Sequence, residues 1–250
     1  MQQETEDDDL RKGLAGLSRL ASARLPLEEL LIAVAGFAVK AIPGADGAGL
    51  TLLEDDRANT IVATEAFVRE IDAVQYGIGQ GPCITAAAEG KTVVSGSLGA
   101  DPRWRRFGGR IARMGVHSVV SLPLIAPDKI VGAMNVYARA KNAFDGRAAE
   151  LGQVFAGPAA IAVQNAQLLE QTRRLADRLQ TTLDERMVIE RAIGVIMSRS
   201  GVAEAEARQR LIASSQHEHQ KLTVIASRLI DEAVRRARSR TSPTNDGPTG

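Results

Sequence analysis

The sequence predicts an α+β N-terminal domain, in which helices flank an antiparallel sheet, followed by a helical coiled-coil linker and an all-α three-helix module. Three observations predict this order: β-branched strand patterns occur only before residue 146, helical periodicity dominates after it, and the two segments differ in charge. Residues 1–172 carry 17 Lys and Arg against 20 Asp and Glu, whereas residues 173–240 carry 14 against 9. The basic excess of the second segment indicates an anionic partner.

Length and composition indicate one or two folded domains. The 250 residues are 44% hydrophobic and 24% charged, which is typical of a globular chain with a real core. The longest apolar run, residues 30–39, is shorter than the roughly 20 residues that cross a bilayer. Residues 1–9 contain neither the basic nor the apolar region of a secretory signal, so we expect a cytoplasmic protein without membrane partners.

The first domain is predicted to span residues 10–160, after a disordered acidic leader at residues 1–9. Apolar spacing, β-branched runs and Pro/Gly breaks define its elements. The predicted helices are 10–20, 27–42, 84–89 and 102–114. The predicted strands are 47–53, 60–64, 92–94, 116–124 and 130–137. Because short polar turns join the longest strands, we expect an antiparallel sheet with flanking helices.

The linker is predicted at residues 161–182. Ile161, Leu168 and Leu175 repeat every seven residues, and Leu179 lies four residues further on, which is typical of a short coiled-coil seam. The alternative is a helix that packs only on its own sheet, because the repeat contains fewer than four clean heptads.

The last module, residues 183–238, is predicted to contain helices at 183–198, 203–215 and 222–238, before a disordered tail at 239–250. Lys221, Arg228 and Arg235 recur every seven residues and therefore share one face of the last helix. Such a row can bind phosphates, and an ordinary solvated face is the alternative.

Side chains suited to catalysis or metal binding are few, and no catalytic residue or metal site is predicted. Cys83 is the only cysteine; it could act as a nucleophile with His117 as base, but a buried inert thiol is the alternative that we favour. His217 and His219 lie two residues apart, which on a helix points them to different faces and disfavours chelation.

No cofactor is predicted either, because the 3% aromatic content supports neither haem nor flavin. Gly77, Gly79 and Gly81 make a glycine-dense segment that lacks the lysine and Ser/Thr of a P-loop. We expect this segment to form a turn that shapes a pocket rim.

The first C-terminal helix contains a spaced pattern of Arg, Ile-Glu, Ala, Gly and Met. Its residues are Arg186, Ile189, Glu190, Ala192, Gly194 and Met197. With this pattern, residues 175–238 resemble the ANTAR domain, an RNA-binding three-helix module. The sequence departs from the family at Ile193, where many members carry lysine, so we expect the binding region to have one cation fewer.

The ANTAR resemblance implies that leader RNA hairpins are bound, and not DNA. The side chains expected to contact the RNA are Arg186, Arg191, Gly194, Lys221 and Arg228. For Arg186 and Arg191, ion pairs within their own helix are the alternative.

The segments before the linker resemble a GAF domain, a sensory α/β module with a small-molecule pocket. The resemblance is carried by residues 48–52, 76–83, 101–104, 115–124 and 131–137. It implies an unidentified ligand, for which Tyr76, Trp104 and His117 are candidate pocket residues, with core packing as the alternative for each. The combination resembles GAF–ANTAR transcription antitermination regulators of bacteria, in which a homodimer through the linker helix would present two ANTAR modules to two hairpins.

Two other functions remain open at this point. One is a GAF-fold redox enzyme such as a free methionine sulfoxide reductase, although such enzymes use several cysteines and this chain has one. The other is a protein-docking module in which the basic row faces an acidic partner.

Overall fold

The computed structural model describes residues 2–22, 25–54 and 57–241, and the chain divides into two compact units, Met1–Gln171 and Thr172–Gly250. The strands are β1 (Gly47–Glu54), β2 (Arg57–Ala63), β3 (Val93–Ser95), β4 (Ser118–Ile125) and β5 (Ile130–Ala138). The helices are α1 (Gln2–Ser22), α2 (Leu27–Ala41), α3 (Ala66–Ile78), α4 (Pro82–Glu89), α5 (Arg105–Arg113), α6 (Gly146–Ser200), α7 (Glu204–Glu218) and α8 (Leu222–Thr241). The predicted fold class is confirmed.

The five strands form one antiparallel sheet in the order β2-β1-β5-β4-β3. Two of its three interior strands, β4 and β5, pair from Ser118 opposite Ala138 to Ile125 opposite Ile130. One face of the sheet packs against α1, α2 and the first part of α6, with Leu31 and Phe155 in that core. The other face packs against α3, α4 and α5, with Phe107 in that core. The sheet is therefore covered on both sides, which explains why β4 and β5 are buried almost throughout.

The N-terminal acidic segment is helical, which corrects the prediction of a disordered leader at residues 1–9. Helix α1 begins at Gln2. Arg147 of α6 donates to the carboxylate of Asp7, and Leu10 is buried in the sheet core. The prediction missed this helix start because the acidic residues lack apolar periodicity, whereas ion pairs such as that of Arg147 with Asp7, together with the apolar residues that follow, stabilise the helix.

Helix α3 has no counterpart in the sequence prediction. Its buried positions are Val68, Ile71, Asp72 and Gln75, which follow the i, i+3, i+4, i+7 spacing of one helix face. Two of these four residues are polar, so the apolar periodicity by which helices are recognised is interrupted. Polar side chains on a buried face indicate that this helix does more than pack against the sheet.

Helix α6 is a single helix of 55 residues, so the linker and the first helix of the last module are continuous. Neither a glycine nor a proline lies between residues 161 and 193 to end it. Pro158, the one interior obstacle, lies on the exposed side of the helix, where the carbonyl that it leaves unbonded can be hydrated.

The C-terminal unit contains the last part of α6 together with α7 and α8. Helix α7 ends at Glu218, and His219 adopts a left-handed conformation with φ of 52°. The predicted tail at 239–250 lies outside the described residues except for the end of α8. Among the helices within residues 2–22, 25–54 and 57–241, none combines the length and apolar character needed to cross a membrane.

Candidate functional site

The sheet face that packs on α3 and α4 is polar at its centre. Thr51 of β1, Ser121 of β4 and Asn135 of β5 are all buried. Ser121 Oγ donates a hydrogen bond to Asn135 Oδ1 at 2.8 Å. Because polar side chains cost free energy when they are buried without full pairing, this cluster marks a candidate site within an otherwise apolar core.

Asp72 of α3 lies at the centre of the cluster. Tyr137 OH donates to Asp72 Oδ1 at 3.1 Å, and Asn135 Nδ2 donates to the same oxygen at 3.4 Å. Within the described residues, Asp72 makes no ion pair, and its Oδ2 atom has no hydrogen-bond partner. Burial therefore raises the pKa of Asp72 to about 7, although both hydrogen bonds favour the charged form.

A cavity of about 790 Å³ lies beside this cluster, between the sheet and helices α3 and α4. Thr51 and Tyr76 line its inner part, and the exposed Lys129 lies at its edge. Thr51 Oγ1 is buried and has no hydrogen-bond partner within the described residues. The other lining residues are Leu53, Cys83, Ile84, Ala87, Ala88, Ile130 and Ala133. Mostly apolar walls with a few polar groups suit a small organic ligand.

Cys83 lies in the first turn of α4 and lines this cavity. Its backbone N–H donates to Gln75 Oε1 at 3.1 Å, and its Sγ atom lies 3.4 Å from Tyr76 OH. Burial raises the pKa of the Cys83 thiol to about 11. A thiol with this pKa is protonated near neutral pH and is a poor nucleophile, which disfavours the redox-enzyme alternative.

The three candidate pocket residues occupy different places. Tyr76 lines the cavity. Trp104 is packed in the core with residues of α5. Its Nε1 atom donates a hydrogen bond to Thr85 Oγ1 at 3.0 Å, and the guanidinium carbon of Arg103 lies 4.2 Å from the centroid of its ring. His117 lies before β4, where its backbone bonds to Leu98 and Ala138, and it is not among the residues that line the cavity beside Asp72.

The glycine-dense segment connects α3 to α4. Gly79 ends α3 in a left-handed conformation with φ of 70°, which a residue with a Cβ rarely adopts. Gly77 lines a second cleft, between α3 and α5. The segment thus comprises the last turn of α3 and the turn that leads into α4, and none of its three glycines is among the residues that line the cavity beside Asp72.

The C-terminal unit is held by a small core shared by its three helices. Its buried residues are Ala192, Ile193, Ala207, Leu211, Ile225 and Ala226. Ile193 is only 1% exposed. The expectation that position 193 lies in the binding region is therefore wrong: this side chain contributes apolar packing, and a solvated lysine there would lose it.

The other α6 candidates are on the surface. Arg186, Arg191 and Gly194 are exposed, and the guanidinium of Arg191 reaches Met187 Sδ at 3.3 Å on the same helix. A Cβ added at Gly194 would meet no atom within 4 Å. Packing therefore does not require this glycine, although glycine inside a helix costs about 1 kcal/mol relative to alanine.

The candidates near α8 are exposed as well. Lys221 immediately precedes the helix and makes no side-chain ion pair within the described residues. Arg228 lies two turns further on, and its guanidinium donates to both carboxylate oxygens of Glu218 at 2.6 Å. This exposed ion pair raises the pKa of Arg228 and lowers that of Glu218. Arg228 can therefore bind an anion only in competition with Glu218.

One face of α6 carries a line of exposed apolar side chains, here called the α6 stripe. Leu168 is 61% exposed and Leu175 is 57% exposed. Its members are Ile161, Leu168, Leu175, Leu179 and Leu183, all exposed in the single chain. A helix rarely exposes so many large apolar residues on one face unless another surface covers them.

Comparison with known families decides the identity of the N-terminal unit. The sequence model described as "GAF domain" matches residues 24–164, more than half of the chain. This chain belongs to the GAF domain family. The model described as "ANTAR domain" matches residues 177–230. The predicted combination of a GAF domain and an ANTAR domain is thereby confirmed, and it fits a signal-controlled ANTAR regulator.

Solved GAF structures share this fold. The GAF domain of a phosphoenolpyruvate-protein phosphotransferase from Coxiella burnetii is 16% identical with a TM-score of 0.51, covering 65% of this chain and 97% of that one. Free methionine-R-sulfoxide reductase from Neisseria meningitidis is 18% identical with a TM-score of 0.46, covering 64% of this chain and 91% of that one. At these identities the likeness concerns the fold alone. No match is found among curated proteins.

Sequence reasoning missed most of the polar cluster. Of the residues that surround Asp72, the sequence analysis singled out only Tyr76, as a candidate pocket residue, and Cys83, as the only cysteine. Ser121 and Asn135 interrupt the two most apolar strands, two residues away from apolar neighbours on the same face. A polar residue at an inward position of a buried strand is the signal that could have found them.

Proposed function

We propose that this chain binds hairpins of a leader RNA through its ANTAR domain and causes transcription antitermination, under the control of a signal at its GAF domain. The observation that carries the proposal is the ANTAR domain at residues 177–230, an RNA-binding module, behind a GAF domain. The net charge of residues 173–240 is +5, whereas that of residues 1–172 is −3, so the cationic excess lies in the ANTAR part of the chain. This distribution favours an anionic partner for that part.

Exposed side chains of the ANTAR domain are suited to RNA loops. Lys221 has no competing carboxylate in the described residues, so its ammonium is available to a phosphate or a base edge. Gly194 leaves a helix surface without a side chain, which allows a backbone or a splayed base to approach. Arg186, Arg191 and Arg228 supply further exposed guanidinium groups.

Lys221→Ala is expected to weaken binding to a two-hairpin leader RNA about 10-fold or more, because it removes a charge-assisted contact. The slope of log Kd against log salt concentration should fall by about 1. Binding is measured with the full chain and labelled RNA at four salt concentrations. Lys40→Ala removes an exposed lysine of the GAF domain and serves as the control.

An RNA with scrambled loops separates recognition from general attraction. Wild type should prefer the native loops, and Lys221→Ala should lose that preference while its thermal unfolding stays unchanged. Equal binding of both RNAs by wild type, or an identical salt series for Lys221→Ala and wild type, would contradict the proposal.

The cavity beside Asp72 is the proposed signal site of the GAF domain. Lys129 offers a positive charge, Thr51 and Tyr76 are polar residues of the lining, and most of the remaining wall is apolar. These features suit an apolar molecule with one anionic group. A ligand there changes RNA binding only if it binds one arrangement of the protein more tightly than another.

Ala87→Phe is expected to weaken binding of anilinonaphthalene sulfonate, an apolar fluorescent anion, because the ring occupies part of the cavity that Ala87 lines. The measurement is a fluorescence titration of the purified chain. Ala73→Phe places the same ring in the cleft between α3 and α5 and should leave the titration unchanged. Equal dye binding by wild type and Ala87→Phe would exclude this cavity as the site.

The α6 stripe is the proposed homodimer seam. Its exposed leucines repeat at the spacing of a coiled coil, and two ANTAR domains in one dimer match the two hairpins of the RNA. Two linked contacts bind more tightly than one, because the second forms within a complex that already exists.

A further inference from the structure

Helix α5 of the GAF domain carries a row of arginines that the proposed function does not use. Arg106, Arg110 and Arg113 stand at i, i+4 and i+7, which places them on one face of the helix. All three are exposed, while Phe107 and Ile111 on the other side are fully buried. We call these three residues the α5 row.

No acidic side chain of the described residues pairs with the α5 row. Within the described part of the chain, none of its guanidinium groups makes a hydrogen bond or an ion pair, and the sequence has no Asp or Glu from residue 102 to residue 127. Arg103 nearby behaves differently, because its guanidinium donates to Asp101 at 2.7 Å. Glu70 of α3 lines the adjoining cleft with Arg110 and Arg113 but forms no ion pair with either.

Repulsion among the three guanidinium groups lowers the stability of the isolated protein. Like charges at i and i+4 destabilise a helix by a few tenths of a kcal/mol per pair. The row also stands in a part of the chain that is acidic as a whole, so it is not a by-product of a generally basic surface. An external polyanion would relieve the repulsion.

The geometry points to an extended anion. Seven residues of helix rise about 10 Å, so the three guanidinium groups form a line instead of converging on one phosphate. The adjoining cleft is a poor site for a small anion. Gly77 and Ile78 in its wall belong to the carboxyl end of α3, which carries a partial negative charge. The carboxylate of Glu70, also in the wall, adds a full negative charge.

We propose that the α5 row binds the phosphate backbone of RNA, as a second contact outside the ANTAR domain. This inference rests on the proposed function for the identity of the polyanion. Guanidinium groups pair with phosphates through two parallel hydrogen bonds, and a linear row follows successive phosphates without reading bases. The contact adds affinity for RNA that flanks the hairpins and leaves loop recognition to the ANTAR domain.

The test compares two full-length variants with the same change in charge. Arg106→Gln/Arg110→Gln/Arg113→Gln removes the row, and Lys40→Gln/Arg69→Gln/Lys91→Gln removes three exposed cations on other elements of the GAF domain. Each is titrated, beside wild type and Lys221→Ala, with the two-hairpin RNA extended by a single strand and with a uridine 20-mer that has no hairpin.

The row variant is expected to bind both RNAs at least 10-fold more weakly than wild type, and its salt slope should fall by about 2, since each single-strand phosphate contact contributes about 0.7. The control triple variant and Lys221→Ala should bind the uridine 20-mer like wild type. The row variant should unfold no earlier than the control variant, because repulsion has been removed.

The outcomes distinguish the two proposals. If wild type ignores the loop sequence but the row variant still loses the uridine 20-mer, the proposed function fails and the α5 contact stands. If wild type recognises the loops and the row variant matches wild type on both RNAs, the α5 contact is overturned and the proposed function stands. An equal loss in the row variant and the control triple variant also overturns it, since the attraction is then diffuse.

Discussion

At pH 8, Asp72→Asn is expected to raise the free energy of unfolding of the GAF domain by a few kcal/mol. Among the described residues Asp72 has no countercharge, and burial raises its pKa from 3.8 to about 7. In the unfolded chain the carboxyl group loses its proton near pH 4, whereas in the folded domain it keeps the proton until about pH 7. Stability therefore falls as the pH rises from about 4 to about 7, by at most about 1.4 kcal/mol per pH unit.

Asparagine avoids this loss because it stays neutral at every pH. Its amide oxygen can still accept from Tyr137 and Asn135, the donors that now bond Asp72 Oδ1. Below pH 4 the variant and wild type should be about equally stable, because the carboxyl group is then protonated in both states.

Urea unfolding at pH 4.5 and pH 8 measures this difference. The chain has one tryptophan, Trp104 in the GAF core, so its fluorescence reports that domain alone. Asp101→Asn is the contrasting variant, since hydrogen bonds from Arg103 lower the pKa of Asp101 to about 2 and the charged form is favoured in the folded state. It should lose stability at pH 8. An Asp72→Asn variant that is less stable than wild type at pH 8 would contradict the assignment of Asp72.

Leu168→Asp/Leu175→Asp is expected to convert a dimer of this chain into monomers. In a coiled coil both positions would face their counterparts on the partner helix, and four carboxylates in an apolar seam would be desolvated and would repel one another. Because both leucines are exposed in the single chain, the fold of each domain should be unchanged. Binding to a two-hairpin RNA should weaken by about 100-fold or more, because the two ANTAR domains then bind the two hairpins independently.

Sedimentation of the purified chains checks the oligomeric state. Ile32→Asp/Ile125→Asp removes two similarly exposed apolar side chains of α2 and β4 that are not members of the α6 stripe, and should remain dimeric. A wild-type chain that sediments as a monomer, or a stripe variant that sediments like wild type, would refute the seam.

The strands and the long helix could be predicted because local periodicity specifies them. Val119 to Leu124 and Val131 to Val136 are dense in β-branched and apolar residues, and the structure pairs them as the central strands of the sheet. Helix α3 could not be predicted in the same way, because Asp72 and Gln75 occupy half of its buried positions. The order of polar and apolar residues in one helix cannot show that its polar residues are buried, because their hydrogen-bond partners lie on strands far away in the sequence.

The residues alone therefore established the two domains, the antiparallel sheet, the basic C-terminal segment and the family to which each part belongs. They did so because periodicity, charge and motif spacing are properties of neighbouring residues. Three features depended on tertiary packing: the contact of Asp72 with Tyr137, 65 residues apart, the burial of Ile193, and the lack of acidic partners along the α5 row among the residues that the structure describes. Each feature depends on which elements pack against one another. Sheet register and helix packing determine those contacts, and they join residues that are far apart in the chain.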